Sequence, residues 1–97
     1  MKKPSKPLVL YFTAKWCAPC RVFGPILRKA AREAGVRVVT LDIDKQELLT
    51  AKYKVRSLPT LIWVRDRPGA QRLTGAASAS VLDTWLKVGA EDARRPE

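Results

Sequence analysis

A chain of 97 residues is one domain, long enough to bury a core without metal or structural disulfides and too short for two. With 46% hydrophobic and 29% charged residues it is expected to be a compact globule, and no apolar run approaches the roughly 18 residues of a membrane-spanning helix. Nineteen Lys and Arg against nine Asp and Glu, with no His, give a net charge of +10, which favours acidic partners and salt-dependent association. The basic residues are dispersed (Lys2, Arg28, Arg37, Lys52, Arg65, Arg72, Arg94), a pattern of solvated surface instead of one nucleic-acid-binding block.

The chain opens on a flexible basic leader over residues 1–7. The apolar run after it, Leu8–Phe12, is shorter than the roughly 7–15 residues of a secretory core and is followed by Lys15, so a cytoplasmic location is expected. Leu8–Phe12 reads instead as a strand buried on both faces. From Ala18, apolar Val22, Phe23, Ile26, Leu27, Ala30 and Ala34 recur at helical spacing, with Gly35 as the stop. Pro25 lies inside this helix and predicts a kink between Arg21 and Pro25. Val36–Ile43 is a second strand. Asp44 with Glu47 three residues later has the form of a capping box, opening a short helix with Leu48, Leu49 and Tyr53 inward. Thr60–Val64 is a third strand, Arg65–Gly69 a turn and Ala70–Thr74 a fourth strand broken by Gly75. Ser78 or Ser80 opens a last helix with Val81, Leu82, Trp85 and Leu86 inward, ending at Gly89 and leaving a charged, frayed tail over 90–97. Strands joined through helices pair in parallel by right-handed crossovers, and the closing hairpin is antiparallel. The expected α/β domain, residues 8–89, is a four-stranded mixed sheet with helices on both faces.

The two cysteines stand in Trp16-Cys17-Ala18-Pro19-Cys20, where the first strand gives way to the first helix. Two thiols are too few for a disulfide scaffold. Without His they fall short of the four ligands of a structural zinc site, unless chains share the metal or carboxylates join it. No metal or cofactor is expected. At this spacing two thiols switch between dithiol and disulfide; buried structural cysteines or a soft-metal carrier are the alternatives. Pro19 falls in the first helical turn, where its missing N–H costs nothing. Trp16 either shields a reactive sulfur or packs in the core.

The series Phe12-x-Ala14-x-Trp16-Cys17-x-Pro19-Cys20, Pro25-Ile26-Leu27, Ile43-Asp44, Tyr53-x-Val55-x-Ser57-Leu58-Pro59-Thr60 and Gly75-Ala76, in this order between Leu8 and Leu86, resembles the thioredoxin family. The resemblance implies a thioredoxin-like fold and a thiol–disulfide oxidoreductase that reduces protein disulfides. Cys17 would be the exposed nucleophile and Cys20 the deeper resolving thiol, with Trp16, Ala18, Pro19, Leu58, Pro59 and Gly75 contacting substrate. The attacking species is a thiolate, favoured at Cys17 by the helix N-terminus, by Lys15 and Arg21, and by the Cys20 S–H. Sequence alone favours a trans Leu58–Pro59 bond; the resemblance implies cis, with the Leu58 backbone pairing to an extended substrate. Lys52, Lys54 and Arg56 lead into that bond, so acidic segments around the target disulfide are expected partners, with a separate reductase as electron donor.

Three departures from the family pattern stand out. Ala18 replaces the usual Gly between Cys and Pro. Tyr11 and Thr40 stand where the family has a buried carboxylate and its lysine partner; Asp42, Asp44 or a water are the nearest substitutes as proton acceptor, with Asp44 expected as a helix cap and Asp42 as a solvated strand residue. The extra N-terminal strand and helix of full-length thioredoxins have no counterpart, which leaves Val36–Ile43 as a bare sheet edge where a dimer or a docked partner is expected. An oxidant or isomerase, and a basic thioredoxin-like module that binds a protein or nucleic acid, are the alternatives to a reductase.

Overall fold

The structure, a computed structural model, describes residues 7–64 and 71–94, the side chains of Ala93 and Arg94 excepted. Most of the expected leader, the Arg65–Gly69 turn and the last residues of the expected tail lie outside the described residues. The elements are β1 (Leu8–Thr13), α1 (Ala18–Ala34), β2 (Arg37–Asp42), α2 (Glu47–Lys52), β3 (Thr60–Trp63), β4 (Arg72–Thr74) and α3 (Ala79–Arg94). They build one sheet in the order β2-β1-β3-β4, with β1 parallel to β2 and antiparallel to β3, and β3 antiparallel to β4. This is the mixed sheet and element order that the sequence predicts, with boundaries shifted by a residue or two except at the end of α3. Among the described residues no helix is long and apolar enough to cross a membrane.

β1 is central, so its apolar run serves two cores. Val9 and Tyr11 point to the face covered by α1 and α3, where they join Phe23, Leu27, Leu61, Trp63, Leu82 and Leu86. Leu10 and Phe12 point to the opposite face, packing with Leu41, Ile62, Leu49 of α2 and Tyr53 just past its end. Each large apolar side chain removed from water in this way contributes roughly 1.5–3 kcal/mol. α1 runs unbroken through Pro25 and stops at Gly35, whose φ of +71° is the left-handed conformation that glycine adopts without strain.

Three local expectations are corrected. Asp44 does not cap α2: the helix starts at Glu47, and the residue before it, Gln46, makes no side-chain cap. The cause is Asp42 at the end of β2. Its Oδ1 accepts the Asp44 N–H at 2.9 Å, and its carbonyl accepts the N–H groups of Lys45 and Gln46 at 2.9 and 2.8 Å. This Asx-type turn absorbs residues 43–46 before a helix starts. Leu48 does not point inward but is 88% exposed, and α2 buries only the Leu49 and Tyr53 side of its short length.

The third correction concerns α3. Ser78, not Ser80, caps it, accepting the Val81 N–H at 3.3 Å. The helix does not end at Gly89 but continues to Arg94, and Ala90, expected in a frayed tail, is buried in the core. Gly89 is there for space instead of conformation. A Cβ built on it would fall on the indole of Trp63, whose ring stacks on Trp85 at a centroid distance of 5.2 Å.

The two helical glycines therefore have opposite expected responses to alanine. Gly89→Ala forces the Trp63 ring to move and is expected to cost about 1–3 kcal/mol. At Gly24 the nearest atom to an added Cβ is the far end of the exposed Arg28 side chain, at 3.2 Å, which moves easily. Gly24→Ala is expected to be neutral or to gain up to about 1 kcal/mol from helix propensity. Urea denaturation of both variants checks the opposed signs.

Candidate active site

The chain leaves β1 at Thr13 and turns through Ala14–Trp16, a turn closed by the Cys17 N–H donating to the Ala14 carbonyl at 3.1 Å. Cys17 is the N-cap of α1, with extended backbone (φ −87°, ψ 101°). Its Sγ accepts the backbone N–H of Cys20 at 3.3 Å. A sulfur thus occupies the position usually held by a Ser or Asp oxygen and shares the Cys20 N–H with the Cys17 carbonyl, which accepts it at 3.1 Å, at the positive end of the helix dipole. Cys17 and Cys20 are joined by a disulfide, their Cα atoms 5.3 Å apart, inside the roughly 4.4–6.8 Å that such a bond spans.

The expected contrast of an exposed Cys17 and a deeper Cys20 takes a different form. The two residues are 5% and 4% exposed, nearly equal, because the bond folds both sulfurs against the first turn of α1. What separates them is the cleft each one lines. Cys17 opens on a cleft of about 430 Å³, walled by Trp16, Ala18 and Pro19 on one side and Val55–Leu58 on the other, over Ile43. Cys20 lines a cleft of about 490 Å³ on the other side, with Tyr11, Thr40 and Asp42. Lys15 and Arg21 were expected beside Cys17, yet they and Arg28 belong to the Cys20 cleft. Arg21 moreover donates from Nη2 to the Lys15 carbonyl at 3.0 Å. Arg56 is the cation lining the Cys17 cleft.

Trp16 is no core residue. It is 64% exposed, and its indole Nε1–H donates to Asp44 Oδ2 at 2.9 Å, tying the wall of the Cys17 cleft to the turn after β2. Asp44, expected as a cap, is this anchor. Asp42 reaches the other cleft. Tyr11, at the position of the family's buried carboxylate, is itself buried and donates its hydroxyl to the Cys20 carbonyl at 3.2 Å. Thr40 is its cross-strand partner in the β1–β2 ladder.

The opposite wall is the segment that leads from α2 into β3. The Leu58–Pro59 bond is cis, as the family resemblance implies and sequence alone does not. Leu58 lines the Cys17 cleft, whereas Pro59 is buried behind it. Gly75, at φ +92°, donates its N–H to the Pro59 carbonyl at 2.8 Å. Of the six residues expected to contact substrate, Trp16, Ala18, Pro19 and Leu58 line the cleft; Pro59 and Gly75 stand behind its wall. Ile43, Val55 and Ser57 also line it and were not singled out from sequence. Val55 and Ser57 carry one signal, their place just ahead of Leu58-Pro59.

The loop before that wall leaves α2 through a Schellman-type end: the Val55 N–H donates to the Thr50 carbonyl and the Lys54 N–H to the Ala51 carbonyl, both at 3.1 Å. Lys54 sits in the left-handed region at φ +54°, where a side chain costs about 1–2 kcal/mol and glycine costs nothing comparable.

A strand-to-helix Cys-x-x-Cys facing a cis-proline loop on this sheet leads to one family, and the comparisons agree. A family model described as Thioredoxin matches residues 1–88. Thioredoxin-1 of Drosophila yakuba is 40% identical over 85 residues, covering 86% of this chain and 79% of that protein. The TPR repeat-containing thioredoxin TDX of Arabidopsis thaliana is 37% identical over 81 residues, covering 82% of this chain but only 21% of that longer protein. The crystal structure of the germline-specific thioredoxin Deadhead of Drosophila melanogaster superposes with a TM-score of 0.74 at 34% identity, over 87% of this chain and 82% of that one. The chain belongs to the thioredoxin family, and its Cys17–Cys20 pair is the redox-active disulfide of a thiol–disulfide oxidoreductase.

Tyr11→Phe isolates the contact beneath the disulfide. It removes the hydroxyl that binds the Cys20 carbonyl and keeps the ring against Phe23, at a centroid distance of 6.0 Å. The expected loss is about 0.5–1.5 kcal/mol of stability, read by denaturation of the oxidised form.

Proposed function

We propose that the chain reduces disulfides of other proteins, with Cys17 as nucleophile and Cys20 as resolving thiol. In the dithiol form the Cys17 thiolate attacks one sulfur of the substrate disulfide. A Cys17–substrate S–S bond forms, the substrate S–S bond breaks, and the electron pair leaves on the freed substrate sulfur, which takes up a proton. Cys20 then gives up its proton to water and attacks Cys17 Sγ. The Cys17–Cys20 bond forms, the mixed disulfide breaks, and the second substrate thiol departs. The substrate has gained two electrons and the chain has lost them, so a separate reductase must return it to the dithiol.

The observation that carries this reading is the position of Cys17 Sγ: at the tip of α1, accepting the Cys20 N–H, and facing the cleft that Leu58 lines. The helix end and that N–H favour the thiolate. The backbone of Leu58 offers an extended segment a pairing edge beside the sulfur. The direction, reduction instead of oxidation, rests on restraint in the same electrostatics. A strongly stabilised thiolate makes the dithiol form too stable to give up electrons. Here Lys15 and Arg21 line the Cys20 cleft and leave Cys17 with the helix end and Arg56 at the rim. Such a reductant fits a reducing compartment such as the cytoplasm.

Cys17→Ser is expected to bring turnover of a disulfide-bonded protein substrate down to background. Cys20→Ser should retain the first attack and accumulate a mixed disulfide visible on non-reducing gels. Equilibrated with a glutathione buffer poised at about −220 mV, the native chain should sit mainly oxidised, where an oxidant of this fold would sit mainly reduced. Alkylation of the dithiol form by iodoacetamide should accelerate with rising pH as the Cys17 thiolate forms; a rate independent of pH would remove Cys17 as the nucleophile.

A further inference from the structure

The Cys17 cleft does not end at Arg56. A second depression, of about 380 Å³, shares Ile43, Val55 and Arg56 with it and runs along α2, from Glu47 at the helix start to Lys54 just past its end. The two form one groove from the disulfide to the α2 terminus, with an apolar floor of Ile43 and Val55 and two cations, Arg56 and Lys54, along its far half. Two carboxylates oppose these cations only in part, so the lining residues keep an excess of one positive charge. Asp44 is bound to the Trp16 indole, and Glu47 is the carboxylate among the lining residues. Lys52 does not contribute: its Nζ lies 5.9 Å from the centroid of the Tyr53 ring.

Lys54 has a second unusual property. It occupies the left-handed position of the Schellman turn, where glycine fits without strain, so the turn itself gains nothing from a lysine. Residues held in disfavoured backbone conformations concentrate where the side chain has a function. Here that side chain lines the groove next to the redox sulfur.

Resting on the reductase reading above, we propose that this groove is the specificity surface of the enzyme: it receives an extended, acidic segment flanking the target cysteine, and Lys54 and Arg56 select for that segment's Asp and Glu side chains. The apolar floor accepts the segment's side chains between the charges, and the Leu58 backbone fixes its register. A protein segment fits better than a nucleic acid strand. The groove presents two cations, and its one aromatic wall residue, Trp16, is held by Asp44, so successive bases would find no series of stacking platforms.

The test compares two disulfide-linked peptide substrates, identical except for Glu pairs or Gln pairs on either side of the cysteine. The native chain at low ionic strength should show a higher kcat/KM for the acidic peptide, and the preference should shrink towards unity at about 1 M salt, where the Debye length is near 3 Å. Lys54→Gly should lower the acidic-to-neutral ratio about 2–5-fold while raising Tm by about 2–6 °C through relief of the left-handed lysine. Arg56→Gln should lower the same ratio without the thermal gain. Equal rates on both peptides, or a ratio that neither substitution moves, overturns the proposal and leaves the reductase reading standing. Reduction of neither peptide overturns the reductase reading itself. Competition by a single-stranded oligonucleotide that binds more tightly than the acidic peptide would replace the peptide with a nucleic acid as the occupant.

Discussion

The site depends on one rung of the sheet, the antiparallel pairing of Phe12 with Thr60. Beyond Phe12 the chain runs Thr13–Cys17 into α1; before Thr60 it runs Val55–Pro59 out of α2. Antiparallel pairing makes these two stretches face each other at one end of the sheet, with the sulfur on one and the Leu58 edge on the other. The parallel pairing of β1 with β2 brings a third segment to the same end: Thr13 is level with Asp42, and the Ile43 N–H donates to the Thr13 carbonyl at 2.9 Å. That segment delivers Asp44 to the Trp16 indole. In an open α/β sheet the carboxyl ends of parallel strands are where loops converge and ligands bind. Here the rung is rigid because both of its residues are buried, Phe12 in the core facing α2 and Thr60 with its hydroxyl donating to the Ser57 carbonyl at 2.7 Å. A shift of this register by one residue would turn the β3 side chains to the wrong faces and move Leu58 out of line with Cys17.

From that rung the chemistry divides into two sides. With both sulfurs nearly buried, reactivity depends on which cleft each one meets. Under the proposed mechanism, substrate approaches Cys17 between Trp16 and Leu58, while the proton of Cys20 leaves towards the cleft of Tyr11, Thr40 and Asp42. The two events do not compete for one opening. The same division separates charge: Lys15, Arg21 and Arg28 gather at the Cys20 side, and Arg56 lines the Cys17 side.

Much of this was legible in the sequence, where a single physical signal dominated. The β1 run, the helical periodicity of α1 and the glycine stop at Gly35 are each set by local pattern and burial. The failures lie where two signals compete. Asp44 and Glu47 have capping-box spacing, but Asp42 closes a turn first and its carbonyl takes the N–H groups of Lys45 and Gln46. Gly89 reads as a helix stop because glycine is the usual terminator, yet tertiary packing claims it as the gap for the Trp63 ring. Leu48 has the helical spacing of a core residue, but α2 is too short to bury two sides. At the site, the cysteines and the cis-proline loop were marked by residue type, whereas Ile43 and Val55 resemble any buried aliphatic. Their part in the groove exists only once β2 and the α2 terminus meet at the sheet's end.

Tyr11 shows how a departure from the family pattern is accommodated. In that pattern the position holds a carboxylate, which would add a buried negative charge near two sulfurs that must themselves carry charge in turn. Tyr11 supplies a neutral hydroxyl, satisfied by the Cys20 carbonyl, and its ring fills the space between Phe23 and the sheet. A neutral group here adds no like charge beside either thiolate. It also removes a fixed proton acceptor from beneath Cys20, and Asp42 is the carboxylate lining the cleft on that side. Its Oδ1 holds the Asp44 N–H, and Asp44 holds Trp16. The turn that shapes the wall of the substrate cleft and the carboxylate nearest the resolving thiol's exit are therefore one hydrogen-bonded unit, and a change at Asp42 reaches both sides of the disulfide.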